Sequence, residues 1–497
     1  MLKYLNIIEQ LSDSDKVHIL CDIDLLSDRK YRVMGIPALH IASLDQFCGE
    51  DLPTAVAMSN SWDSSMVENA ANHLFRSMAE QGVDIAIVPG PKPKINPCRS
   101  ALSEDSLLAG AMTAAYLRAA AQFGVSVVLD DFYIRPDELL WLDTQPDERM
   151  LREQLTQPYQ SLISAPACKG VLTATDLEQT GWEQVNAQLR STLTQDQELF
   201  FLCPKVSSRE TVRLLSHGGL CLQGSSVALE AALERYKQLE TRIAHGDATA
   251  EELAQEVALG KAISPDAVNE ATDRLLRFLF AAKRKPTVST LPVDPQVFEK
   301  AHAASMVLLK NDGTLPLKTN KVALYGPGAS MTIKGGTGSG EVNERHSISI
   351  WEGMKKAGCD ITTESWLSDY QKDYADGLAQ FEKRISDSLK SLDIATYMNL
   401  FLQSYSYPFG RPITTEDVEN SDTDTCIYVV ARQSGEGHDR KLEEFMLSEE
   451  EREHIRFCTS HYEKTIVVLN VGSSFDVCFM DEIPGINALI YFCQQGS

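Results

Sequence analysis

Apolar residues along the chain fall into two alternating rhythms. Short runs of β-branched and aliphatic residues recur as "VDIAIVPG" (Val83–Gly90), "VSVVLDDF" (Val125–Phe132), "KGVLTATD" (Lys169–Asp176), "QELFFLCP" (Gln197–Pro204) and "GGLCLQG" (Gly218–Gly224). Stretches with apolar residues every three or four positions separate them, such as "SEDSLLAGAMTAAYLRAAAQFG" and "SRETVRLLSHG". Continuous apolar runs predict strands buried on both faces, and the three-to-four spacing predicts amphipathic helices. Strand and helix alternating in this way predict a parallel sheet, and the spacing between runs suits the βα units of a TIM-like barrel. A helical region follows from Ser226 to Lys283, where "AISPDAVNEATDRLLRFLFAAKRK" opens on a Ser-Pro-Asp cap.

The stretch Arg284–Pro295, rich in Pro, Thr and Ser, breaks the pattern and reads as a linker. It sets the expected boundaries: a barrel domain at 1–285, a linker at 286–297 and a second domain at 298–497. The second half opens on a predicted helix, "PQVFEKAHAASMVLL". It continues through strand "KVALYGPG", helix "SIWEGMKKAG", a helical insert, then strands "TCIYVVARQ", "KTIVVLNVG" and "INALIYFCQ". This is again βα alternation, and it predicts a doubly wound α/β sandwich. No internal repeat or low-complexity segment interrupts either half.

Composition narrows the function. The 497 residues carry a formal net charge of −24, spread along the chain without a basic patch. That disfavours nucleic acid and anionic membranes, both of which need Lys and Arg against phosphate. No apolar run reaches the ~20 residues that span a bilayer. The N-terminal stretch reads as an amphipathic helix rather than a signal peptide. The 11 cysteines are scattered singly, without zinc-ligand spacing, and point to a reducing cytoplasm. His454 and His461, two helical turns apart, read as surface residues. No cofactor or metal motif is present, so none is expected.

Two glycine-bearing loops draw attention. "GGTGSG" (Gly335–Gly340) begins ten residues after the strand that ends at Tyr325, in the order G-G-x-G-x-G and without a Lys-Ser/Thr ending. A phosphate cradle needs its glycines tight between strand and helix, so this loop is better read as close backbone approach. "VVARQSGEGHDRK" (Val429–Lys441) sets Glu436 between two glycines just past a predicted strand, where doubly wound sheets gather their sites.

These loops and their neighbours resemble glycoside hydrolase family 3, the β-glucosidase-like branch. "ASMVLLKNDGTLPL" (Ala304–Leu317), "GGTGSGEVN" and "SGEGHDRK" are close to three motifs of its second domain. "GIPALHIA" (Gly35–Ala42), "MSNSWDSSMVENAA" and "RSALSEDSLLAG" (Arg99–Gly110) are similar to segments of its barrel. The resemblance implies a TIM-like barrel followed by an α/β sandwich, hydrolysis of β-linked glycosides, and Glu436 as the general acid/base. It implies substrate contacts from Arg99, Ser339 and Asn343. It also implies more sandwich beyond "QQGS", so a missing C-terminal segment or a partner chain is expected to complete the second domain.

A retaining glycosidase needs a second carboxylate about 5–5.5 Å from the first. The family carries it at the end of a barrel strand, and there "LFFLCPKVSS" places Pro204. The family's sugar-gripping Lys-His pair aligns with Asp130-Asp131, and its first sugar-binding Asp aligns near Ser43. Three readings therefore stand. The first is an impaired or non-catalytic family member. The second is an active glycosidase with a relocated carboxylate: Asp130, Asp131 and Asp176 all follow predicted strands. The third is a sugar-binding or assembly module, with Trp62, Trp141 and Trp182 as candidate platforms.

Overall fold

The computed structural model describes residues 2–44, 52–91, 102–130, 148–172, 200–205, 211–212, 214–215, 219–283, 296–336, 348–390, 405, 407–433 and 442–496. Among these the chain divides into two compact units. One holds the described residues up to Leu44 and from Val67 to Lys283; the other holds 52–66 and everything from Gln296 onward.

The first unit is a half-barrel. Its strands are β1 (Ile41–Ser43), β2 (Ile85–Val88), β3 (Ser126–Leu129), β4 (Cys168–Leu172), β5 (Phe200–Lys205) and β6 (Leu220–Gln223). They pair in sequence order, β1-β2-β3-β4-β5-β6, and every pair is parallel. All five runs expected from the apolar pattern form strands; β1, only three residues long, was too short to stand out.

The helices of this unit carry their start signals in the sequence. Helix α1 (Asp13–Cys21) is capped by Ser12, whose side chain accepts from the Asp15 amide while the Asp15 carboxylate accepts from the Ser12 amide. That box satisfies two otherwise orphaned N–H groups. Helices α2 (Ser64–Glu80), α3 (Ser106–Gln122), α4 (Gln157–Ile163) and α5 (Ser226–Ala244) follow. Helix α6 (Pro265–Ala282) starts on the Ser264 cap with Pro265 in its first turn, as the Ser-Pro-Asp signal predicts. Its buried Val268, Ala271, Leu275, Leu276, Phe278 and Leu279 recur at helical spacing, and they join the strand residues Leu172, Phe200, Leu202 and Leu220 in one core. The C-terminus of α1 meets the end of β6: Gly224 N donates to Cys21 O at 2.6 Å, and Asp22 bridges to Gln223.

The second unit is built on β7 (Val307–Asn311), β8 (Lys321–Tyr325), β9 (Asp360–Ile361), β10 (Thr425–Arg432), β11 (Lys464–Val471) and β12 (Ile486–Tyr491), in the order β7-β12-β11-β10-β8-β9. Only β7 runs antiparallel. Helices α7 (Val297–Ser305), α8 (Ile350–Lys356), α9 (Glu364–Lys390) and α10 (Glu449–His461) complete the elements used below. β10 and β11 are buried along nearly their whole length, as expected of central parallel strands whose both faces are covered. Trp366, Tyr325, Tyr428 and Tyr370 fill the largest share of this core.

Two expectations are corrected here. The helix expected to run through "SMVLL" stops at Ser305, and Val307–Asn311 forms edge strand β7 on β12. Four apolar residues in a row fit either period, and the pairing available on β12 decides for strand. His454 is buried rather than superficial, with Nδ1 3.2 Å from the Tyr428 hydroxyl; His461 does lie near the surface. Burial pushes the pKa of His454 down against the pull of Glu451.

Candidate functional site

The second sheet has one topological switch point. From β8 the chain crosses to β9 on one side, and it returns to lay β10 on the other. The carboxyl ends of β8 and β10 flank that switch, where a crevice opens in doubly wound sheets. The glycine loop follows β8, and the Ser-Gly-Glu-Gly loop follows β10. Topology therefore brings to one edge the stems of two loops, Gly335 and Gln433, that the sequence keeps about a hundred residues apart.

The first turn after β8 is shaped by close approach. Gly326 has φ +91°, and a Cβ there would lie 2.4 Å from the Val429 carbonyl oxygen; one on Gly328 would lie 2.7 Å from Val429 Cγ1. Only glycine lets "YGPG" lie against β10. The positive φ falls on Gly326, not on Gly335. Residues 337–340 of "GGTGSG", which include Ser339, and Asn343 beyond them lie outside the described residues.

A polar network holds the far end of this turn. Asn470, fully buried on β11, accepts from Ile333 N at 2.6 Å and donates to Ile333 O at 2.8 Å and Cys493 O at 2.7 Å. One side chain thus satisfies three backbone groups that would otherwise be buried unpaired. Gly335 O accepts from the side-chain amides of Gln494 (3.3 Å) and Gln433 (3.5 Å), and Gln433 Oε1 accepts from the Tyr407 hydroxyl at 3.1 Å. Gln494 O in turn accepts from Thr54 Oγ1 at 2.9 Å, which ties the segment preceding the short helix Ala55–Ser59 to the same edge.

The stem of the Glu436 loop is pinned by Arg432, the last residue of β10. Its guanidinium forms a fork with Glu451 (2.8 and 2.6 Å) and donates to the carbonyls of Glu444 (3.2 Å) and Met446 (2.8 Å). Glu451 is fully buried and Arg432 nearly so. Burial by itself would lower the Arg432 pKa, but the carboxylate fork raises it, so the guanidinium stays charged. Because Glu444 and Met446 lie beyond the loop, Arg432 brings both of its ends together. Residues 434–441, including Glu436, lie outside the described residues.

In the first unit all six strands end on one edge, the edge that carries chemistry in barrels. Asp130 directly follows β3. Its amide donates to Val88 O at 2.8 Å, and its carbonyl accepts from the Tyr159 hydroxyl at 3.1 Å. Gly90 closes this corner, since a Cβ there would sit 2.1 Å from Asp130 O and 2.4 Å from the Tyr159 hydroxyl. Two strands along from β3, β5 ends on Pro204 and Lys205. Arg99, Asp131, Asp176, Trp141 and Trp182 lie outside the described residues. Trp62 is 73% exposed with φ 55°. Among the described residues no three His, Cys, Asp or Glu side chains group as a metal site, and no helix is long and apolar enough to cross a membrane.

Reasoning on the sequence alone missed Arg432, Gln433, Tyr407 and Asn470. Arg432 and Gln433 stand inside the quoted motif, but Glu451, which pairs with Arg432, is 19 residues away, and Tyr407, which bonds Gln433, is 26. Only the basic residue ending an otherwise apolar strand hinted at a buried pair.

Residues 306–497 match the glycosyl hydrolase family 3 C-terminal domain. The chain is 25% identical over 384 residues to thermostable beta-glucosidase B of Acetivibrio thermocellus, covering 71% of this chain and 48% of that protein. It is 22% identical over 389 residues to a beta-glucosidase of Rhizobium radiobacter, covering 71% and 44%. The chain thus spans about half the length of these curated relatives or less. In fold it is similar to beta-glucosidase 3B from Thermotoga neapolitana (TM-score 0.70, 21% identity, 99% of this chain and 72% of that one). It is similar also to a beta-glucosidase from Bifidobacterium adolescentis (TM-score 0.64, 17% identity, 98% and 67%).

Proposed function

We propose that the chain is a β-glucosidase-like member of glycoside hydrolase family 3, supported by the match of its second half and its likeness to beta-glucosidases, and that it keeps the acid/base half of a glycoside site and has lost the nucleophile half. Glu436 is the acid/base, donating a proton to the glycosidic oxygen as the bond breaks. Arg99, Ser339 and Asn343 contact the sugar. Pro204 carries the proposal. It stands next to last in β5, at the strand end where the nucleophilic Asp is expected, and its side chain has no nucleophilic atom. Without that group no glycosyl-enzyme forms, so a β-glucoside binds but is not turned over by the retaining route.

The test is direct. Turnover of aryl β-glucosides is expected at the uncatalysed background in the unaltered chain and in Glu436→Gln alike. Pro204→Asp is expected to raise it, and Glu436→Gln in that background to abolish the gain. Turnover in the unaltered chain that Glu436→Gln removes contradicts the proposal.

One observation favours a second reading. Asp130 is a carboxylate at the same strand edge, on a backbone held by Val88 and Tyr159. As a relocated base or nucleophile it supports hydrolysis without Pro204→Asp, and turnover that Asp130→Asn removes is the mark of that reading. Asp131 and Asp176 are the other candidates for the role. Binding of a β-glucoside without turnover in any variant is the mark of a sugar-binding or assembly module.

A further inference from the structure

We propose that Tyr407 and Gln433 are positioning residues that brace the glycine loop against the stem of the Glu436 loop. The proposal rests on the reading of Glu436 as acid/base and goes beyond it, by naming what holds that loop in place.

Gln433 is the first residue past β10, three residues before Glu436. Its side-chain NH2 donates to Gly335 O, at the 3.5 Å limit of a hydrogen bond, and its Oε1 accepts from the Tyr407 hydroxyl at 3.1 Å. Tyr407 thereby holds the oxygen end of the amide, which leaves the NH2 end aimed at Gly335. Gly335 opens the glycine loop and is held from the other side by Gln494.

Tyr407 is itself backed by a packed aromatic set. Its ring lies 5.2 Å from that of Tyr374 on α9, and Tyr374 meets Tyr405 edge-on at 5.3 Å. Tyr405 lies across Gly377 of α9 so closely that a Cβ there would be 1.9 Å from its hydroxyl oxygen. Glycine inside a helix costs roughly 0.8–1.0 kcal/mol against alanine, so Gly377 marks a place where this contact prevails over helix propensity. The brace runs from the long helix of the insert, through three tyrosines and one glutamine, to both loops at the switch point.

A proton donor must sit within hydrogen-bond reach of the leaving oxygen, and a displacement of ~1 Å can cost about 100-fold in rate. A side chain that joins both loops at their stems acts on that position without touching substrate.

The test uses the full chain with Tyr407→Phe, which removes one hydroxyl, and Gln433→Leu, which removes the amide. By hydrogen exchange, both variants are expected to speed exchange several-fold in 336–347 and 434–441, with β10 and β11 unchanged. Unchanged exchange in the loops overturns the proposal. So does exchange that rises throughout β10 and β11, since it makes the two residues ordinary packing.

A second readout separates positioning from stability. With formate supplied as external nucleophile, the formate oxygen bonds to the anomeric carbon as the bond to the aryl oxygen breaks. Phenol leaves with the Glu436 proton, whereas dinitrophenolate leaves without one. Both variants are expected to slow phenyl β-glucoside cleavage about 10–100-fold and dinitrophenyl β-glucoside cleavage little. Equal slowing of both substrates overturns the proposal. Absence of any formate-supported cleavage by the unaltered chain overturns the acid/base reading instead, and the exchange result then decides the brace alone.

Discussion

Arg432 is the residue on which the stem of the Glu436 loop depends most. Its fork with fully buried Glu451 is sound only while both partners stay. Arg432→Met leaves a buried carboxylate uncompensated, and breaking such pairs costs about 3–5 kcal/mol. Denaturant unfolding is expected to show that loss, and a loss below about 1 kcal/mol would mean that the pair is solvated. Asp417 gives a pH test. Burial by itself would raise its pKa, but the Arg411 fork and the hydroxyl and amide of Thr414 lower it from 3.8 to about 2. A depressed carboxylate pKa adds stability that is complete above the unfolded value and is lost as pH falls through the folded one. The stability gap between the unaltered chain and Asp417→Asn is therefore expected to shrink between pH 4 and 2. A gap that stays constant over that window would contradict the assignment.

At the scale of elements, two glycines decide how loops leave their sheets. Gly326→Ala puts a Cβ into Val429 at a positive φ, and Gly90→Ala puts one into Asp130 O and the Tyr159 hydroxyl. Neither partner is a flexible chain end, since backbone or a buried ring must move. Each substitution is expected to lower the unfolding midpoint, whereas Gly246→Ala, with nothing within 4 Å, is expected to act only through its φ of +80°. Equal effects at all three positions would mean that the close approaches are not limiting. The strands themselves were largely legible. Long apolar runs such as "TCIYVVAR" fit no solvent-facing element, and Ser-Pro-Asp marks a helix start by chemistry. Strand β7 was not legible, because "MVLLKN" becomes a strand only once β12 is beside it. His454 was misread for a related reason: its environment is a tyrosine from β10, 26 residues back in the chain.

At the scale of the whole molecule, the site was legible as motifs and not as geometry. The two loops could be found from their glycines and from a resemblance. What places their stems at one edge is the β8/β10 switch, and the contacts of those stems come from Asn470, Arg432, Gln433 and Tyr407. Their partners are set by tertiary folding across up to 137 residues. The same distinction governs function. The motif that the resemblance reads as acid/base stands in the sequence, and Pro204 stands at the strand end where the resemblance expects the nucleophile. The most direct measurement is turnover of an aryl β-glucoside by four chains: the unaltered protein, Glu436→Gln, Pro204→Asp and the double variant. Background rates in the first two, a gain in the third and its loss in the fourth are predicted. Turnover by the unaltered protein that disappears in Glu436→Gln would contradict the account.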